Sequence, residues 1–171
     1  MVIGIIYQEY RLIKYPNFDK WDELDQGKIT RIECDNNQLT SLPNLDKCLQ
    51  LKVLECSDNQ LISLPNLDKC LQLRQLICSN NKLTSLPNLE KCQQLCSLTC
   101  NNNKLTSLPK LSNCSELDGL FCSDNKLITL PNLEKCQRLR ILCCINNKLT
   151  SLPNLEKCRQ LTKIYCNNNK L

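Results

Sequence analysis

Cysteine recurs in this chain with an unbroken period. Cys34, Cys56, Cys78, Cys100, Cys122, Cys144 and Cys166 step by 22 residues, and so do Cys48, Cys70, Cys92, Cys114, Cys136 and Cys158. Of 15 cysteines only Cys96 and Cys143 fall outside the two series. A fixed period of this length marks a repeat architecture, in which each unit is too small to bury a core alone. Such units must stack, each contacting only its neighbours. This constraint dominates all others in the sequence.

One unit, residues 51–72, reads LKVLECSDNQLISLPNLDKCLQ. Its apolar positions are Leu51, Leu54, Cys56, Leu61, Leu64, Leu67 and Cys70. Six such units fill residues 29–160, a partial seventh fills 161–171, and residues 1–28 form a head of different composition. Around Leu54 and Cys56 the pattern alternates in and out, which predicts a short strand. Stacked units then align these strands in parallel, about 4.8 Å apart, in a solenoid roughly 30 Å long. The Leu-Pro step holds the chain extended and blocks a long helix. The Asn that follows the proline, replaced by Lys110 in one unit, is a candidate cap. The spacing of Leu67, Cys70 and Leu73 suits a turn of 3₁₀ type. Short turns on the outer side imply gentle curvature.

The pattern L-x-x-L-x-C-x-x-N-x-L-x-x-L-P-N-L-x-x-C resembles the leucine-rich repeat family, with Cys in the third apolar slot. The 22-residue period is similar to the short class found in phosphatase-regulator and internalin proteins. The pairing of Cys and Asn with LPNL also resembles the multicopy leucine-rich repeat proteins of giant DNA viruses of amoebae. The resemblance implies a solenoid with a parallel sheet on its concave face and short 3₁₀ or irregular turns on its convex face. It further implies a curved scaffold that binds a protein partner through the concave strands.

Composition removes several chemistries. Without histidine there is no Ser-His-Asp triad, no Cys-His pair and no imidazole metal site. With only Gly4, Gly27 and Gly119 there is no Walker loop or dinucleotide fingerprint. No C-x-x-C pair occurs, so no metal site is expected, and Cys is a common buried residue that can replace Leu in a tight coil. No convergent carboxylate pair stands out, and no catalytic residue or cofactor is expected. The net charge of +5 is a mild bias. The apolar start, residues 1–7, is too short to span a bilayer and lacks the flanks of a signal peptide. Reduced thiols in a cytoplasm are therefore expected, the host cell's if the source is viral.

Residues 1–28 contain Tyr7, Tyr10, Tyr15, Phe18 and Trp21. This head is read as an amino-terminal cap, a strand or hairpin followed by a short helix near Phe18 to Leu24. The carboxyl end stops partway through a unit, which leaves Leu161, Ile164 and Cys166 open to water: either the natural protein is longer or this end pairs with another copy, as a dimer, which an open sheet edge favours.

Three residue sets are candidate sites. The first is the Asn column that follows the strands: Asn37, Asn59, Asn81, Asn103, Asn125, Asn147 and Asn169. An amide side chain both donates and accepts, so it can satisfy the buried turn. The second is the outward strand face. Its rows are Arg31, Glu33 and Asp35; Val53, Glu55 and Ser57; Gln75, Ile77 and Ser79; Ser97, Thr99 and Asn101; Gly119, Phe121 and Ser123; Ile141, Cys143 and Ile145; Lys163, Tyr165 and Asn167. Val53, Ile77, Phe121, Ile141, Cys143, Ile145 and Tyr165 are the candidate contacts of a protein partner. The plainer reading is strand propensity, since Ile, Phe and Tyr suit strands anyway. Cys143 is also the candidate exposed thiol. The third set is a lysine column: Lys82, Lys104, Lys126, Lys148 and Lys170. It could meet an acidic partner or a phosphate backbone. Base-stacking aromatics do not accompany it, which argues for solubility instead. A second lysine row (Lys47, Lys69, Lys91, Lys135, Lys157) sits beside acidic neighbours. A targeting role within a larger effector or enzyme complex is the remaining alternative.

Overall fold

The computed structural model describes residues 2–7, 12–15 and 17–171. Its strands form one nine-stranded sheet in the order β2-β1-β3-β4-β5-β6-β7-β8-β9. Strands β3 (Ile29–Glu33), β4 (Val53–Glu55), β5 (Gln75–Ile77), β6 (Ser97–Thr99), β7 (Gly119–Phe121), β8 (Ile141–Cys143) and β9 (Lys163–Tyr165) come one from each coil. All pair in parallel and in strict register, so Leu54 lies beside Leu76 and Leu76 beside Leu98. A repeat with no insertions permits no register shift, because a one-residue slip would turn the leucines out of the core.

Most of the residues that the spacing marked are buried; Leu64 is partly so, and in the last, partial coil Ile164 is exposed. In the second coil Leu51, Leu54, Cys56, Leu61, Leu67 and Cys70 are fully buried. Each buried leucine contributes roughly 1.5–3 kcal/mol relative to exposure. The core is one continuous column, because every coil lays its leucines and cysteines against those of the next. Twelve of the cysteines are buried in it.

The outer side is short turns. In the second coil the Cys70 N–H donates to the Leu67 carbonyl at 2.9 Å, and the Leu73 N–H donates to the Cys70 carbonyl at 3.0 Å. Two successive turns share Cys70. The three-residue spacing is thus met by single turns with the i to i+3 bond of the 3₁₀ type, not run together into a longer helix because only every third amide bonds back. Where Asn follows the proline of a coil, as it does in all but the fourth (Lys110 after Pro109), it caps the first turn. Its Oδ1 accepts from the N–H two residues on, as in Asn66 to Asp68 at 3.0 Å.

The head adds two antiparallel strands, β1 (Ile3–Tyr7) and β2 (Leu12–Tyr15). Strand β1 pairs with β2 on one side and with β3 on the other. Ile3 and Ile5 are buried. In place of one helix near Phe18 to Leu24, two 3₁₀ turns occur, at Trp21–Glu23 and Gln26–Lys28. Trp21 meets Phe18 edge to face, with ring centroids 5.5 Å apart, and its Nε1 donates to the Asn44 carbonyl at 3.1 Å. Tyr10 and the side chains of Tyr7 and Tyr15 lie outside the described residues.

Candidate functional site

The strand face is built on a polar turn that the coils share. Asn59 shows the pattern. Its Oδ1 accepts the N–H groups of Asn37 and Leu39 in the preceding coil, at 3.0 and 2.9 Å. Its Nδ2 donates to the carbonyls of Cys34, Cys56 and Ser57. Asn81, Asn103, Asn125, Asn147 and Asn169 repeat this, each accepting from the coil before, beginning with Leu61 N–H on Asn81 at 2.9 Å. Asn37, first in the column, engages the head instead, through Val2 N–H and C=O. The residue before each of these Asn is left-handed: Asn36, Asp58, Asn80, Asn102, Asp124, Asn146 and Asn168 have φ between 52° and 57°. Asn and Asp tolerate that region, so the turn needs no glycine.

The third outward residue of each row proves to be part of the scaffold. Ser57 Oγ accepts the Ser79 N–H, Ser79 Oγ the Asn101 N–H, Asn101 Oδ1 the Ser123 N–H and Ser123 Oγ the Ile145 N–H, at 2.8–3.1 Å. These side chains carry the sheet's bonding one step past the strand ends. They are less available to a partner than their outward position suggests. Sequence reading missed this role, although the run of short acceptors (Asp35, Ser57, Ser79, Asn101, Ser123) was its signal. Ile145 breaks the run.

The two remaining columns are the open face, and register sets their order. One column reads Glu33, Glu55, Ile77, Thr99, Phe121, Cys143, Tyr165. It passes from acidic to apolar along the stack. At the acidic end Arg31 pairs with Glu33 at 2.6 Å and with Glu55 at 2.8 Å. Burial raises the pKa of Glu55 and of Asp35, and the carboxylates around them raise it further.

At the other end Cys143 sits between two aromatics, Phe121 on β7 and Tyr165 on β9. Ile141 and Ile145 flank it along its own chain, so four apolar side chains rim one thiol. Gly119 makes room for this arrangement. A Cβ there would lie 2.6 Å from Phe121 Cε2, so the Phe121 ring lies down over the glycine. Cys143 Sγ is 3.2 Å from Ser123 Oγ. Of the other candidate contacts, Ile77 lies two rungs from Phe121 with Thr99 between, and Val53 lies in the adjacent column. Neither joins the cluster.

The lysine column lies beyond the Asn turn and does not merge with this face. Lys82, Lys104, Lys126, Lys148 and Lys170 are exposed, and Lys82 Nζ donates to Gln60 Oε1 at 3.1 Å. The second lysine row pairs between coils, not within them: Lys91 with Asp68 and Lys157 with Glu134, both at 3.9 Å. Cys96 is a second half-exposed thiol, and its Sγ donates to the Arg74 carbonyl at 3.1 Å. Buried thiols are held protonated; burial pushes Cys48, Cys78 and Cys136 up to about 12. Among the described residues no group of three or more Cys, Asp or Glu is placed to hold a metal ion. No helix among them is long and apolar enough to cross a membrane.

This geometry is a leucine-rich repeat solenoid: a parallel sheet on one face, short turns on the other, almost no helix, and a 22-residue coil. Its structural neighbours are leucine-rich repeat proteins. A functional domain of InlJ from Listeria monocytogenes, itself described as including a cysteine ladder, aligns at 27% identity with a TM-score of 0.75. YopM from Yersinia enterocolitica aligns at 33% identity and 0.72, and the leucine-rich repeat domain of a Shigella effector at 31% and 0.69. These alignments cover 83%, 82% and 87% of this chain, but 30%, 29% and 60% of the respective neighbours. Neither a family model nor a curated protein matches the sequence.

Proposed function

We propose that the chain is a non-catalytic interaction scaffold that takes a protein partner on its concave strand face. The observation that carries this reading is the apolar rim of Phe121, Ile141, Ile145 and Tyr165 around Cys143. Aromatic and aliphatic side chains gathered in one cluster are what interface anchors need. The fold alone would not fix the function, but its neighbours are interaction domains, and that supports the general reading. Twelve unpaired buried thiols suit a reducing cytoplasm. A source among giant DNA viruses of amoebae is the finer reading of the repeat pattern, and would make that cytoplasm the host cell's. The greater length of the neighbours supports a second reading, in which these coils recruit a target for a larger effector. Binding of nucleic acid through the lysine column has less support, because no aromatic accompanies it.

A paired pull-down from eukaryotic cytosol, read by mass spectrometry, tests the face. One bait is the native chain and the other carries Phe121→Ser, Ile141→Ser, Ile145→Ser and Tyr165→Ser. A protein held by the first and lost by the second supports the reading. Equal capture by both baits moves the site elsewhere, with the lysine column next to be varied.

A further inference from the structure

We propose that one occupant of the concave face is the convex side of a second copy of this chain, laid antiparallel. The inference rests on the concave-face reading and names a partner for it. Two columns on opposite sides of the solenoid carry it. The concave column passes from Glu33 and Glu55, through Ile77 and Thr99, to Phe121, Cys143 and Tyr165. The convex column, one turn residue per coil, reads Leu49, Leu71, Gln93, Ser115, Gln137, Arg159. One runs from acidic to apolar and the other from apolar to cationic, in the same direction along the chain.

Antiparallel stacking matches both ends together. With Leu49 over Cys143 and Leu71 over Phe121, Arg159 falls opposite Glu33 and Gln137 opposite Glu55. Leu49 and Leu71 are large apolar side chains left 52% and 51% exposed on adjacent coils. Phe121 and Tyr165, on either side of Cys143, offer them an apolar surface. At the far end a cleft of about 950 Å³ is lined by Lys135, Arg138, Lys157 and Arg159 against a single carboxylate, Glu116. Glu116 is already paired with Arg138. The surplus of positive charge there faces the surplus of negative charge around Glu33, Asp35 and Glu55. Such a contact joins two different surfaces, so it builds an open row and not a closed pair.

This asymmetry gives the test. Leu49→Gln with Leu71→Gln blocks the convex side; Phe121→Thr with Tyr165→Thr blocks the concave side. Each new residue already stands in the same column of another coil, and circular dichroism confirms that both variants fold. Sedimentation velocity over a concentration series is expected to show native mass rising well beyond 19.7 kDa, with each variant alone staying at that mass. An equimolar mixture of the two variants, each with one live face, is expected to form a pair of twice that mass and stop. A native chain that stays monomeric up to about 1 mM overturns the second copy as occupant, and leaves the concave-face reading to the pull-down. Native assembly with no pair in the mixture also overturns it.

Discussion

A thiol at the centre of a coil acts as a small apolar side chain whose proton is hard to remove. Its sulfur needs little room, so coils can approach where leucine would hold them apart. In the structure these thiols touch carbonyls of the coil before, as Cys158 Sγ does with Leu133 at 3.4 Å. Only Cys96, Cys143 and Cys166 lie partly open. Labelling the native protein with a maleimide at pH 8 is expected to modify those three within minutes and spare the other twelve until the chain is unfolded; mass spectrometry of the adducts reads the number. Fast labelling of Cys78 or Cys100 would contradict the packing. The burial of the two cysteine series, Cys166 in the last coil excepted, was legible from their place in the apolar pattern, where a small, commonly buried residue stands in for Leu. The role of Ser57, Ser79 and Ser123 was not, because a short polar residue pointing off a strand looks solvent-directed until the amide of the next coil is placed beside it.

The coil is the next scale, and its weak point is the Asn turn. Asn103 holds Leu83 N–H at 3.0 Å and donates to three carbonyls. Replacing it by Ala leaves those groups buried and unpaired, a loss of about 1–3 kcal/mol. Asn103→Asp keeps the acceptor but turns the donor into a charge against carbonyl oxygens, so it is expected to cost at least as much. Chemical denaturation of both variants checks the order; unchanged midpoints would refute the turn's role. The strands and their register followed from the leucine pattern, and so did the absence of long helices after each proline. The outer turns carry the i to i+3 bond that the three-residue spacing suggested, one turn at a time. The apolar cluster around Cys143 was half legible: its four apolar neighbours stood out, but the Phe121 ring lying across Gly119 depends on packing along one strand.

At the scale of the whole molecule the thiols act together. A pKa raised in the folded state means that the native chain keeps protons which the unfolded chain releases. Stability is therefore full below the ordinary thiol value and falls as pH rises from about 9 toward 12. Each buried thiol removes up to about 1.4 kcal/mol per pH unit in that window. Five acting together reach the lower end of the ~5–15 kcal/mol that holds a domain folded. Thermal melts under reducing conditions are expected to show a steep fall in Tm above pH 9, with little change between pH 7 and 8; a flat profile to pH 11 would mean that the thiols are not shielded. The direction of the Asn bonds has a different consequence. Every unit secures the one before it and presents the same socket to the one after. Copying or deleting a stretch of 22 codons in phase therefore joins compatible ends and strands no polar group. Unequal recombination can lengthen or shorten such a gene without redesigning the joint, and variation in copy number becomes a cheap route to new binding faces.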